Sequence, residues 1–432
     1  MKLKFAASRR AARVFQNNMM RTILLLVLAA TTDAVVELII DTDLGFDVDD
    51  AGAIAVANHL QDLGLCELRG VVHNTGFVEG IGAVDSIMNY YGRGNDTRAY
   101  GAYKGAWASS DDAQAAQDRY ATAMSERWPS RVAGAGDVGG AADAYGRLLA
   151  ASTNGSVVIA SIGEPTALRD ALQAHKDLFA AKVKQIVYMD LGYNFGCGDA
   201  AGSDWSPWLG STDGCAGAAK YVVDHMPASV QQVFSPAGED VLTGSRFHDG
   251  DGCGAGPAKF AYETWTNYGS RPSWDLIATY YAVAGLESLY STATRGTNAV
   301  DAAGNENFVA DPAGPHLRVD IDPAHDGDVV RLLDDALCAA PCRGDCAGYE
   351  YRAMANCYDG HGATNLESPP DASAGAMTLA ACLALCDATP ACEAVGVRAS
   401  GDGGLVDCYR KADVDLGACD AYSPFATWTK KA

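Results

Sequence analysis

The chain is short of positive charge. Its 432 residues carry 32 Lys plus Arg against 54 Asp plus Glu, a net charge of -22. A surface of that sign repels phosphate backbones, which excludes nucleic acid as a partner and is compatible with divalent cations. Long apolar runs are also missing. The stretch Ile23-Leu24-Leu25-Leu26-Val27-Leu28-Ala29-Ala30 falls far below the ~20 residues that a spanning helix needs. No CxxC pair occurs, and the cysteine-rich segment contains one histidine, His361, which argues against zinc. Disorder is excluded by composition, with 48% hydrophobic and 20% charged residues. The length suffices for two domains, one with a sizeable core.

What is present begins with a leader. Lys2, Lys4, Arg9, Arg10, Arg13 and Arg21 stand in an acid-free stretch, then come the apolar run and Thr31-Thr32-Asp33-Ala34. This is a secretory signal pattern, with residues 1–34 as the signal peptide and an uncleaved anchor as the alternative. Nine of the 13 cysteines lie between Cys338 and Cys419, a density that predicts a disulfide scaffold in an oxidising compartment. The sequons Asn95-Asp96-Thr97 and Asn154-Gly155-Ser156 agree with a secreted or cell-surface protein.

Upstream of Cys338, short apolar runs alternate with amphipathic stretches. Strands are expected at 35–40, 68–72, 156–160, 183–189 and 230–234, and helices at 51–63, 81–91, 166–175 and 329–337. Residues 301–326, rich in Asp, Pro, Ala and Gly, read as loop. Strand then helix, repeated, predicts an open α/β domain with a mainly parallel sheet over 35–340. A small disulfide-rich α+β domain is expected over 345–432.

The most informative segment is Asp41-Thr42-Asp43-Leu44-Gly45-Phe46-Asp47-Val48-Asp49-Asp50-Ala51. Five carboxylates fall within ten residues, after an apolar strand and before a helix. Ligands in open α/β sheets bind at the carboxyl ends of strands. So many like charges call for a cation, and oxygen ligands alone select a hard one, Ca²⁺ or Mg²⁺. Capping of the helix by single aspartates is the plainer reading of any one of them.

The segment resembles the DxDPGxDDA signature of the inosine-uridine preferring nucleoside hydrolases, with two extra residues. Five further segments, in order, are similar to that family: Gly70 to Thr75, Ala160 to Leu168, Val183 to Met189, Ser203 to Ser206 and Arg271 to Asp275. The resemblance implies a Ca²⁺-dependent enzyme that hydrolyses the N-glycosidic bond of a small-molecule nucleoside or related riboside. It implies Asp43, Asp50, Asp275 and the backbone carbonyl of Ile162 as metal ligands. Asp43 would also be the general base toward the attacking water, with Asp49, Asn74 and Asp204 on the ribose. The insertion makes Asp47 a rival for the Asp49 or Asp50 role.

Three departures bear on activity. Trp274 stands where many members have the histidine that protonates the leaving base, and an indole cannot be a general acid, although it can stack on a base. Ser206 replaces Asn, and Asp204 replaces Glu. His73 and His248 are substitutes for the acid, each with core or surface packing as the plainer reading. A riboside-binding protein without turnover is therefore the alternative.

In the tail, Leu379, Cys382, Leu383 and Cys386 share one helix face, and 395–397 and 407–409 read as strands. The Cys382, Cys386, Cys392 and Cys408 pattern resembles a PAN/Apple module. That resemblance implies Cys382–Cys408 and Cys386–Cys392 pairs, with Cys357–Cys419 closing the ends, and a glycan or protein ligand. The other seven cysteines are an odd number, so at least one is free or intermolecular. A homo-oligomer is compatible with this reading.

Overall fold

The structure is a computed structural model. It describes residues 35–431 except 46, 78, 95, 104–119, 133, 191–213, 249–252, 287, 344–345, 347, 353–354, 370–371, 400–404 and 422–424. The leader, Asp204 and Ser206, and the Asp249 to Gly252 stretch thus lie outside the described residues.

The chain from Val36 to Ala432 forms one compact unit. Its larger sheet has ten strands in the order β11-β10-β12-β7-β6-β5-β1-β2-β3-β4. These are β1 (Val36–Thr42), β2 (Cys66–His73), β3 (Tyr100–Ala102), β4 (Gly139–Gly140), β5 (Val157–Ser161), β6 (Val183–Met189), β7 (Gln231–Ser235), β10 (Ser291–Val300), β11 (Glu306–Ala310) and β12 (His316–Ile321). Two short strands, β8 (Leu242–Thr243) and β9 (Arg271–Pro272), pair separately. The eight strands from β12 to β4 run parallel, and β10 and β11 are antiparallel.

The strands read as continuous apolar runs because both sheet faces are covered. Leu38 and Ile40 of β1 enter one core and Ile39 the other; Val158 and Ala160 of β5 divide from Val157 and Ile159 in the same way. The first core is closed by α1 (Asp49–Asp62), α2 (Gly80–Tyr90), α3 (Ala121–Arg127), α7 (Pro257–Thr266), α8 (Trp274–Ala284) and α9 (Asp326–Cys338). The second is closed by α4 (Ala141–Ala151), α5 (Thr166–Lys182) and α6 (Cys215–His225). Helix α5 runs past its expected end because a single non-helical residue, His175 (φ -133°), interrupts it without stopping it. The α/β class expected from the sequence is the one observed.

The loop expected over 301–326 is a correction. It holds β11 and β12, which with β10 form an antiparallel extension of the sheet. Strand β11 lies at the sheet edge, and most of its residues face solvent. An edge strand of that kind needs no apolar run.

The tail builds a second sheet around its own core. Its order is β13 (Tyr349–Arg352), β21 (Ala426–Lys430), β18 (Ala394–Ala399), β19 (Val406–Ala412), β16 (Gly362–Asn365) and β15 (Tyr358–Asp359), with β17 (Ala376–Met377) on β19. The strands β14 (Ala355–Asn356) and β20 (Asp420–Ala421) pair apart. Helix α10 (Leu379–Asp387) starts where the Thr378 hydroxyl accepts the Ala381 N–H at 3.2 Å, an N-cap. Its buried Leu379 and Leu383 pack with Val395, Val397 and the fully buried Trp428. Disulfides join Cys357 to Cys419, Cys382 to Cys408 and Cys386 to Cys392, as well as Cys253 to Cys338 and Cys342 to Cys346. Among the described residues Cys66 is free; it is buried, and burial pushes its thiol up to about 12, so it is inert.

The tail meets the larger sheet's layer at the C-terminal end of α1. Leu63 packs on the tail core, the Asp62 carboxylate accepts the Cys342 N–H at 2.8 Å, and His59 lies edge-on to Tyr351 at 4.9 Å. No helix among the described residues is long and apolar enough to cross a membrane.

Candidate metal and catalytic site

The carboxyl edge of the sheet gathers the ends of β1, β2 and β5 and the first turns of α1 and α8. Backbone bonds hold these ends together. The Ile162 N–H donates to the Asp41 carbonyl and the Asn74 N–H to the Thr42 carbonyl, each at 2.8 Å. Gly45, at φ +120°, turns the acidic loop against Phe77, whose ring leaves no room for a Cβ. Tyr120 donates to the Asp47 carbonyl at 2.5 Å from across the loop.

Three carboxylates converge. Asp47, Asp50 and Asp275 each offer an oxygen within 4.8 Å of the others. Asp50 and Asp275 are buried at the N-termini of α1 and α8, where the helix dipoles favour negative charge. Asp50 Oδ1 accepts from the Thr42 hydroxyl. Its Oδ2 and Asp275 Oδ1 are buried without a hydrogen-bond partner. Burial, then the neighbouring carboxylates, hold Asp49, Asp50 and Asp275 well above the usual carboxylate range. Burial first and Asp47 second push Asp43 up to about 8. Like charges crowded in a low-dielectric pocket favour the neutral acid unless a cation joins them. Orphaned buried oxygens and an all-oxygen donor set fit a hard divalent ion.

Asp50 and Asp275 belong to the convergent set, and Asp47 stands in it where the family pattern puts Asp43. Asp43 is half-buried beside this set, close to Asp47 and Asp50. Ile162 lies buried at the end of β5. Asn74 is fully buried; its amide donates to Asp41 while its Oδ1 has no partner. Asp49 is buried and ion-paired with Arg271 at 3.5 Å. Trp274 lies under the same guanidinium, 4.9 Å from its ring centre.

Neither candidate histidine is brought to the carboxylates as a free acid. His73 is buried with Nε2 2.9 Å from the Leu44 carbonyl, so it carries its proton there and braces the acidic loop. His248 Nε2 lies 3.0 Å from the Gly269 carbonyl, with the ring against Tyr268.

Sequence reasoning passed over three contributors. Tyr145 donates to Asp41 at 2.5 Å and, with Asn74, ties that carboxyl into the floor of the site. Thr42 orients Asp50. Arg271 pairs with both Asp47 and Asp49. No spacing announces Tyr145, which is 104 residues from its partner. Arg271 does carry a signal, as a lone cation four residues before Asp275 in a chain poor in cations.

Solved structures share this fold. The type III effector protein XopQ, solved with adenosine diphosphate ribose, aligns over 74% of this chain and 97% of its own, at 13% identity and a TM-score of 0.51. The effector protein XOO4466 aligns over 74% of this chain and 99% of its own, at 14% identity and a TM-score of 0.50. A plant nucleoside hydrolase, PpNRh1, aligns over 71% of this chain and 99% of its own, at 17% identity and a TM-score of 0.49. At such identities the likeness concerns the fold alone. The sequence matches no protein-family model and no curated protein.

Proposed function

We propose that this chain is a secreted, Ca²⁺-dependent hydrolase of the N-glycosidic bond of a nucleoside or related riboside. One observation carries the reading: Asp47, Asp50 and Asp275 converge at the carboxyl edge of the sheet, and Asp50 and Asp275 each have a buried oxygen without a partner. These three residues would hold the ion, with Ile162 beside them as the carbonyl donor that the family resemblance implies. Ca²⁺ bound there would act as a Lewis acid and would orient the attacking water.

The chain's own groups supply the rest. Asp43, beside Asp47 and Asp50, accepts the water's proton. Asn74, whose Oδ1 lacks a protein partner, and Asp49 receive the ribose hydroxyls, and Asp204 takes the sugar-binding role that the family resemblance implies. Buried carboxylates stabilise the oxocarbenium-like charge that develops at C1′. The indole of Trp274 stacks on the base.

Secretion is supported by the leader, by at least five disulfides and by Asn154, a sequon residue exposed in a turn. The tail, as a PAN/Apple-like module, would take a glycan or protein. A specific observation also favours the second reading, a riboside-binding protein without turnover: Trp274 stands where an acid is needed, and His73 is committed to a backbone carbonyl.

The test is release of ribose or its derivatives from a panel of nucleosides. Adenosine diphosphate ribose joins the panel because XopQ was solved with it. Release that disappears with chelator, with Asp43→Asn and with Asp50→Asn is expected. A folded protein that binds Ca²⁺ and releases nothing would overturn hydrolysis and leave binding.

A further inference from the structure

Arg271 stands at an unusual point in the site. Its guanidinium lies over two indoles, 4.7 Å from the Trp265 ring centre and 4.9 Å from that of Trp274. Its Nε is 3.5 Å from Asp49 Oδ1, and its terminal nitrogen is paired with Asp47. Strand β9 fixes the backbone beneath it through pairing of Arg271 with Thr243, whose hydroxyl is 2.7 Å from that of Ser273. The residue is therefore held in place by its backbone pairing, by two carboxylates and by two indoles.

Asp47 belongs to two arrangements at once. It is the ion-pair partner of Arg271, and it is one of the three carboxylates that converge with Asp50 and Asp275. A carboxylate donated to a cation at ~2.4 Å gives up much of its charge to that ion. The guanidinium and the cation thus compete for one group, whereas Asp49 and the two indoles keep Arg271 in place if it loses Asp47.

We propose that Arg271 is the internal counter-cation of this site: it holds Asp47 when no metal is bound, yields it to Ca²⁺, and thereby weakens Ca²⁺ binding and positions the acidic loop. The inference rests on the reading that the cluster holds Ca²⁺. It makes metal loading a displacement, and it places the displaced guanidinium on Asp49, the carboxylate assigned to the sugar.

Isothermal titration of the purified full chain with Ca²⁺ at pH 8, and tryptophan emission over the same titration, test this. Arg271→Gln removes a unit charge a few ångströms from a divalent ion, and is expected to tighten the Ca²⁺ Kd by about tenfold or more. Arg271→Lys keeps the charge but lacks the fork, and should fall between wild type and Arg271→Gln. Wild-type emission should change on Ca²⁺ addition, because the guanidinium beside the two indoles loses the Asp47 charge that neutralises it and a dication binds nearby. Asp47→Asn should weaken Ca²⁺ binding and abolish that change. A purely structural Arg271 would instead give an unchanged or weaker Kd in a folded variant, and this overturns the proposal while leaving the metal site intact. If Arg271→Gln fails to fold, an emission change that persists in Asp47→Asn overturns it. Absence of Ca²⁺ binding by the wild type overturns both the metal site and this inference.

Discussion

Gly163 gives the sharpest test of how the site is held together. It follows Ile162 at the end of β5. A Cβ built there would lie 2.6 Å from the Asp43 backbone nitrogen and 2.8 Å from both Asn74 Nδ2 and Asp43 Cγ. Ordinary contact begins near 3.4 Å, so something must move by several tenths of an ångström. The Asp43 nitrogen cannot swing aside, since it continues directly from β1. Gly163→Ala must therefore push β5 away from the loop that carries the carboxylates. Overpacking of this kind costs about 1–3 kcal/mol of stability. A displacement approaching 1 Å at a reacting group costs about a hundredfold in rate. The expected result is a modest loss in urea unfolding, a Ca²⁺ Kd raised by about tenfold or more, and hydrolysis reduced about a hundredfold. Gly136→Ala is the control: it has open space around its Cβ and should change stability by less than about 0.5 kcal/mol. A folded Gly163→Ala protein with wild-type Ca²⁺ affinity would refute the argument that this glycine sets the spacing of the site.

Other expectations follow from the same structure. Chelation should lower Tm and added Ca²⁺ restore it, a hundredfold excess over Kd adding about 2.7 kcal/mol of stability; a Tm indifferent to both would remove the metal. Glu37 is opposed by burial, but bonds from the Thr153 N–H and the Ser156 hydroxyl, each 2.8 Å, lower its carboxyl from 4.5 to about 2. Its folded-state value lies below the unfolded one, so its contribution is present above pH 4.5 and is lost as pH falls toward 2. Glu37→Gln should thus be less stable by at most about 3 kcal/mol at pH 7, with the gap closing at pH 2–3 in urea melts; a pH-independent gap would contradict the assignment. Asp62→Ala should cost about 3 kcal/mol in thermal melts, because it strands Arg93 and the Cys342 N–H, both partners of a buried carboxylate. Trp428→Ala should cost about 3–5 kcal/mol and expose the tail to proteolysis before the larger sheet.

The sequence by itself determined the parallel sheet and the address of the site. Strands such as Val157–Ser161 are buried throughout, and apolar up to the closing serine, because both faces are covered, and that pattern survives in one dimension. The crowding of Asp41, Asp43, Asp47, Asp49 and Asp50 behind a strand is equally legible, since charge repulsion is a local fact. The tail's helix is marked by the spacing of Leu379, Cys382, Leu383 and Cys386. The antiparallel arm of β10 and β11 was not legible, because exposed edge strands need no apolar run. Tertiary structure alone decided which carboxylates converge. Asp275 reaches Asp47 and Asp50 only because α8 packs on α1, and Asp47 joins them only because the enlarged loop turns at Gly45. It also decided that Arg271 faces Asp47 and Asp49, that Tyr145 bonds Asp41 across 104 residues, and that His73 spends its proton on a carbonyl. Each of these depends on where a side chain points once distant elements are packed, and no spacing along a chain encodes that direction.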